Sequence, residues 1–74
     1  MSELQKNMID YFVVCINEFA SRYSMPVKDA TIYLYEHKGL DYLEEFYDIE
    51  HTLSFDDTVD NLTLICKNNG GELI

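Results

Sequence analysis

The sequence is poor in basic residues, with 5 lysines and arginines against 14 acidic residues and a net charge of −9 over 74 residues. Proteins bind nucleic acids largely by neutralising phosphates with lysine and arginine, and anionic membrane surfaces attract the same side chains. The composition therefore excludes both classes of partner, so we expect no nucleic-acid binding and no membrane binding. The same charge favours attraction to basic protein surfaces.

The sequence also lacks a long apolar run, since the longest uninterrupted one covers only residues 11–16. A membrane-spanning helix needs about 20 such residues, and the first residues show no basic stretch of the kind that begins a secretory signal. Cysteine is scarce, because only Cys15 and Cys66 are present, both at apolar positions of helix-like patterns. We therefore expect buried thiols rather than a disulfide, and a cytoplasmic location.

Glycine and proline are rare, with 3 and 1 occurrences, and they fall where helical patterns stop. Before Pro26, apolar residues recur at spacings of three and four, which predicts a first helix of about 20 residues. Ser2 and Gln5 fit a capping box at its start. The predicted apolar stripe contains Leu4, Met8, Tyr11, Phe12, Cys15, Ile16, Phe19 and Tyr23, and is widened by Ile9, Val13 and Ala20.

Three shorter helices are predicted after Pro26, which suits the first turn of the second helix. That helix ends at Lys38 and Gly39, where glycine is expected to take the left-handed conformation. The third helix ends near residue 48 and is followed by a connector at 49–53. Its apolar positions are Leu40, Leu43, Phe46 and Tyr47, and those of the second helix are Val27, Ala30, Thr31 and Leu34.

The fourth helix is predicted to start at Ser54, which forms a second capping box with Asp57. Its stripe contains Phe55, Val59, Leu62, Ile65 and Cys66. The absence of alternation over 55–66 favours a helix over a strand. We therefore predict an all-α, compact four-helix domain in which one long central helix packs with three shorter ones. A single domain is expected over 1–74, with an ordered core at about 2–68 and a frayed tail at 69–74.

No catalytic or metal-binding pattern is recognisable among the titratable residues. The spacing of the two histidines and two cysteines matches no zinc motif. Carboxylate pairs are frequent in so acidic a chain and therefore carry no information about acid–base catalysis. A helix-turn-helix interpretation of the second and third helices is disfavoured, because Asp41, Glu44 and Asp48 would face phosphates. We expect no enzyme activity, no cofactor and no metal site.

Residues 40–57 contain seven acidic residues, eight aromatic or aliphatic residues and no lysine or arginine. Four of the six tyrosines (Tyr33, Tyr35, Tyr42 and Tyr47) are too many for so small a core, and tyrosine is enriched at protein interfaces. The alternative is that the tyrosines are half-buried and serve the fold, while the acids form a solvated face. The candidate partner-binding residues are Tyr42, Glu45, Tyr47, Asp48, Asp56, Asp57 and Asp60.

His51 and Thr52 lie between the third and fourth predicted helices, where backbone groups lack helical partners. We expect their side chains to bond to those groups and to fix the crossing of the two helices, as a structural connector rather than a ligand site. Replacing His51 by alanine is then expected to lower the melting temperature.

Several stretches together resemble a known family: "YFVVCINEFA" in the first helix, the Lys-Gly stop, "LDYLEEFYDIEHT", and the acidic "DDTVDNL". They are similar to the small bacterial proteins grouped as domain of unknown function 3791, over roughly residues 5–68. The resemblance implies a helical protein without an assigned activity. Some members occur beside genes for toxin-like enzymes resembling ADP-ribosyltransferases, which implies an antitoxin-like or accessory role.

The expected function is that of a small acidic protein-binding module that meets a basic protein, or a toxin-like enzyme, through residues 41–60. The carboxylates would steer the encounter and reject wrong partners. The alternative is a self-associating structural or regulatory protein with no other partner. Because like-charged surfaces repel, a homodimer would use the side of the first helix.

Overall fold

The computed structural model of the chain describes residues 3–72, with side chains from residue 6 onward. Within that range the chain forms five helices and no strand. They are α1 (Glu3–Arg22), α2 (Val27–Glu36), α3 (Gly39–Glu45), α4 (Tyr47–Glu50) and α5 (Phe55–Asn68). The predicted all-α class is confirmed, including the helix over 55–66. The capping box predicted for Ser2 and Gln5 lies outside the described side chains.

The core forms where α1 packs against α2, α3 and α5. Its buried apolar residues come from all four of these helices: Cys15, Phe19, Ala20, Ala30, Leu34, Leu43, Val59, Leu62 and Cys66. Both cysteines are buried and free, as the sequence predicts. The spacings of three and four place these residues on the inner side of each helix, so burial of apolar area holds the helices together.

Two residues predicted to widen the core stripe of α1 lie at the surface instead. The exposed fraction is 48% for Ile9 and 52% for Val13, whereas Ala20 is buried. The neighbouring helices cover the side of α1 that carries Cys15 and Phe19, and Ile9 and Val13 lie beyond its edge. The apolar side of α1 is therefore wider than the surface that its partners cover.

The break between α2 and α3 was correctly placed, but the roles of its two residues are reversed. Lys38 has the left-handed conformation, with φ of 70°, and Gly39 is the buried first residue of α3. A Cβ atom on Gly39 would lie 2.8 Å from Cδ2 of Leu34 and 3.1 Å from Sγ of Cys66. Glycine is therefore needed here because α3 closely approaches α2 and α5.

The predicted third helix is divided into α3 and α4, so the described residues form five helices rather than four. Phe46 ends α3 and precedes α4 with non-helical dihedrals, φ −108° and ψ 22°. Ile49 and Glu50, which were predicted to belong to a connector, are part of α4. Glu50 is held by a side chain of α5, and this long-range contact leaves no mark on the local apolar spacing.

The start of α5 confirms the predicted cap, because the Asp57 amide donates a hydrogen bond of 3.1 Å to the Ser54 hydroxyl oxygen. Asp56 and Asp57 lie in the first turn, where the helix dipole favours negative charge. After α5, the Gly71 amide donates to the Cys66 carbonyl oxygen at 2.8 Å, and Gly71 is buried. The fraying predicted for residues 69–74 stays a prediction. The burial of Gly71 favours fraying that begins after residue 71.

Candidate protein-binding surface

The negative charge is concentrated in one part of the chain. Eight of the 14 acidic residues lie between residues 41 and 60, and none of the 5 basic residues does. In the structure this segment contains most of α3, all of α4 and the beginning of α5. Seven of the eight carboxylates are exposed, and we call them the acidic surface: Asp41, Glu44, Glu45, Asp48, Asp56, Asp57 and Asp60.

Arg22 is folded against part of the acidic surface. Its guanidinium pairs with the Asp60 carboxylate and donates a hydrogen bond of 3.0 Å to the carbonyl oxygen of Asp56. The Asp56 carboxylate lies 3.5 Å from the same guanidinium. The bond to Asp60 raises the pKa of Arg22. Two of the predicted partner-binding acids therefore already share an intramolecular cation, which fastens the end of α1 to the start of α5.

The other acids of the surface have weaker partners or none. Lys38 lies 4.0 Å from Asp41, in an exposed pair that contributes little free energy. Among the residues that the structure describes, no cation pairs with Glu44, Glu45, Asp48 or Asp57. These four carboxylates are therefore exposed without a cation of the described residues beside them.

Aromatic rings fix α4 against α1 beneath the acidic surface. The Tyr47 ring meets the edge of Tyr11 at a centroid distance of 5.5 Å and stacks on His51 at 4.7 Å. Tyr11 also lies 6.0 Å from Phe55. Tyr42 packs on Phe46 at 5.0 Å. Tyr42 and Tyr47, both predicted to contact a partner, are thus half-buried and also hold the fold together.

Glu50 is a buried carboxylate that sequence reasoning missed. Only 2% of its surface is exposed, and the Asn61 amide nitrogen donates to its two carboxylate oxygens at 3.1 and 3.2 Å. Burial raises the pKa of the Tyr42 hydroxyl, and the charge of nearby Glu50 raises it further. Leu43 and Glu50 are seven positions apart, but the break at Phe46 interrupts the helix between them, so the local spacing gave no signal for this burial.

With Glu50 buried, α4 exposes the apolar residue Ile49 beside the acidic residue Asp48. Ile49 is 62% exposed, and Phe46 and Leu53 are 39% and 37% exposed. These three residues follow each other at spacings of three and four, and we call them the apolar stripe. Sequence reasoning assigned Phe46 to the core and the other two to a connector, so it missed this part of the surface.

The family model described as "Protein of unknown function (DUF3791)" matches residues 10–69. The chain belongs to this family. No curated protein and no solved structure matched the chain.

The part of this DUF3791 protein that matches the family contains the whole acidic surface, the apolar stripe and the buried pair of Glu50 and Asn61. It also contains His51 and Thr52, whose side chains bond within α4. The His51 Nδ1 atom lies 2.6 Å from the Tyr47 carbonyl oxygen, and the Thr52 hydroxyl donates to the Ile49 carbonyl oxygen at 2.6 Å. These bonds serve carbonyl groups at the end of α4, and the predicted role in fixing a helix crossing stays a prediction.

Two further features bear on the chemistry of the DUF3791 chain. Burial raises the pKa of each thiol, Cys15 and Cys66, from 9.0 to about 11, so both stay protonated at neutral pH and are poor nucleophiles. Within residues 3–72, no group of three or more His, Cys, Asp or Glu side chains is placed to hold a metal ion. None of the helices in that range is long and apolar enough to cross a membrane.

Proposed function

We propose that this DUF3791 protein is a small, acidic, non-catalytic protein-binding module of the cytoplasm, which meets a basic protein through its acidic surface. The concentration of eight of the 14 acidic residues in positions 41–60, without a single basic residue, is the observation that carries this proposal. The remainder of the chain is nearly balanced, with six acidic and five basic residues. The excess negative charge therefore comes from one segment of the chain rather than from its whole length.

An excess of charge of this kind changes the rate of encounter with a partner. Charges of one sign that are gathered on one surface attract an oppositely charged protein and raise the association rate, with a strong dependence on salt. They also repel nucleic acids and anionic lipids, so these are rejected as partners. The apolar side chains in the same segment would supply contact area once the partner has arrived.

The resemblance described above suggests a narrower form of the proposal, in which the partner is a toxin-like enzyme and the module is an antitoxin-like or accessory protein. An enzyme neutralised in this way would present a basic surface near its substrate site, where the acidic surface would block access.

The test is capture of the partner from the native cell with a charge-neutralised variant and a matched control. The first variant carries Glu45→Gln, Asp48→Asn and Asp57→Asn, all within the acidic surface. The control removes the same number of exposed charges elsewhere, through Asp10→Asn, Glu18→Gln and Glu36→Gln.

We expect the wild type and the control to retain one basic protein at low salt, and the surface variant to lose it. Raising the salt concentration should slow the association of the wild type and the control. If the wild-type protein recovers only itself at every ionic strength, the proposal is wrong.

A second candidate function, self-association, is favoured by the exposed apolar side of α1. Ile9 and Val13 are half exposed one turn apart. The charges between residues 6 and 22 balance, with two basic and two acidic residues, so two copies would not repel each other there. A strict monomer by light scattering at high concentration would rule out this function, and a dimer abolished by Val13→Glu would support it.

A further inference from the structure

Two neighbouring residues of α4, Ile49 and Glu50, have the reverse of the usual amphipathic arrangement. A surface helix ordinarily turns its apolar side inward and its charged side toward water, but here Glu50 is 2% exposed and its neighbour Ile49 is 62% exposed. The orientation is fixed by the two hydrogen bonds from Asn61 to the Glu50 carboxylate. Burying a carboxylate while leaving an isoleucine in water is unfavourable on both counts. The isolated fold therefore gains nothing in apolar burial from this arrangement.

The apolar stripe of Phe46, Ile49 and Leu53 belongs to the same segment, residues 41–60, as the acidic surface. Glu45 and Asp48 alternate with the stripe along the chain, both are exposed, and neither has a cationic partner among the described residues. An apolar line bordered by unpaired carboxylates is complementary to a segment that carries apolar residues on one side and basic residues beside them.

We infer that α4 is the docking element of the acidic surface, and that its occupant is a basic amphipathic helix of the partner protein. The apolar side of that helix would cover Phe46, Ile49 and Leu53, and its flanking basic residues would pair with Glu45 and Asp48. This inference rests on the proposed function and specifies the part of the partner that is recognised.

The charges of the chain argue against other occupants. A second copy that docked through the same surface would bring the same carboxylates to the stripe, and its Arg22 is already engaged with Asp56 and Asp60. A β-strand would need a sheet edge to pair with, and the described residues form no strand. The pairing of Arg22 shows that a guanidinium is accepted by carboxylates of this surface, which supports a basic occupant.

The test uses two synthetic peptides of about 16 residues, long enough to form a helix on binding. Both consist of the same leucine, alanine and arginine residues. The first places its leucines on one side of a helix, and the second has the same residues permuted so that no apolar side exists. Binding to the full chain is measured by fluorescence anisotropy at physiological salt.

We expect the amphipathic peptide to bind at least tenfold more tightly than the permuted one, which corresponds to about 1.4 kcal/mol. Ile49→Gln should reduce the affinity for the amphipathic peptide at least tenfold. The matched control is Leu64→Gln in α5, because Leu64 has a similar exposed fraction of 57% but lies outside the segment 41–60. It should leave the affinity unchanged, and thermal melting of both variants should show an intact fold.

Equal binding of the two peptides would overturn the inference while leaving the proposed function standing, because the acidic surface would then attract cations without a docking element. An equal loss on Leu64→Gln would also overturn it. The same holds if neither peptide binds, and the capture experiment then decides the proposed function separately. A wild-type dimer that Ile49→Gln dissociates would identify a second copy as the occupant and contradict the inference.

Discussion

The close approach at Gly39 leads to a prediction whose sign is not obvious, because alanine is normally preferred to glycine within a helix. Gly39→Ala would gain at most about 0.5–1 kcal/mol from this preference, because that figure applies to the middle of a helix and Gly39 is the first residue of α3. The added Cβ atom would lie 2.8 Å from Cδ2 of Leu34 and 3.2 Å from the Leu34 carbonyl oxygen. Overpacking a filled core costs about 1–3 kcal/mol. Since the backbone oxygen cannot easily move, we expect overpacking to dominate.

The net loss should be about 1–2 kcal/mol, against a total stability of about 3–5 kcal/mol for a core of this size. Thermal unfolding followed by circular dichroism should then show a melting temperature lower by about 5–15 °C. In a Leu34→Val background the Cδ2 atom is absent, so Gly39→Ala should cost less than in the wild type. Gly70→Ala is the control, because nothing lies within 4 Å of its added Cβ and its cost comes from a φ of 85°.

The cost of Gly70→Ala should be the same in both backgrounds, since it does not involve Leu34. If Gly39→Ala leaves the melting temperature unchanged or raises it, the reasoning from close approach is refuted. An equal cost in the two backgrounds would place the strain elsewhere than at the Leu34 side chain.

Three further predictions concern stability. Ser54→Ala removes the cap of α5 and should cost about 1 kcal/mol, measured by urea unfolding; no loss would mean that the cap is replaced by water. Glu50→Gln replaces one accepting carboxylate oxygen by an NH₂ group, which would then face the Asn61 amide nitrogen, itself a donor. The substitution should lower the free energy of unfolding by about 1–3 kcal/mol. Adding Asn61→Asp restores a donor–acceptor pair and should recover much of that loss, whereas no recovery would contradict the assigned pairing. Burial raises the pKa of the Cys15 and Cys66 thiols to about 11, which favours their protonated form in the folded chain. That stabilisation is complete below the unfolded pKa and is lost as the pH rises from about 9 to 11, so constant urea midpoints over this interval would contradict it.

The features that sequence reasoning predicted correctly are local in the chain. The spacing of apolar residues is determined within a helical turn or two, so the all-α class and the extent of α1 could be predicted. The cap at Ser54 depends on a residue only three positions away. The same holds for the break at Lys38 and Gly39, although the roles of the two residues were reversed because the contact with Cys66 is not local.

The features that were missed depend on contacts between distant parts of the chain. Arg22 pairs with Asp56 and Asp60 although more than thirty residues of sequence separate them, and no local pattern predicts that pairing. The orientation of α4 follows from the bond between Glu50 and Asn61, which needs the docking angle of α5. Exposure of the candidate acids could be predicted from charge alone, whereas the apolar stripe beside them could not.

The close packing of Gly71 against Tyr33 and the end of α5 limits where the chain can be shortened or extended. Its amide bonds to Cys66 and its Cα atom lies under the Tyr33 hydroxyl, with no room for a Cβ atom. Trimming back to residue 69 would uncover the tyrosine ring and remove the Gly70 and Gly71 amides that donate to the last carbonyl oxygens of α5, leaving only the Asn69 amide there. Affinity tags and fluorescent fusions should therefore be joined through a linker that begins after residue 72.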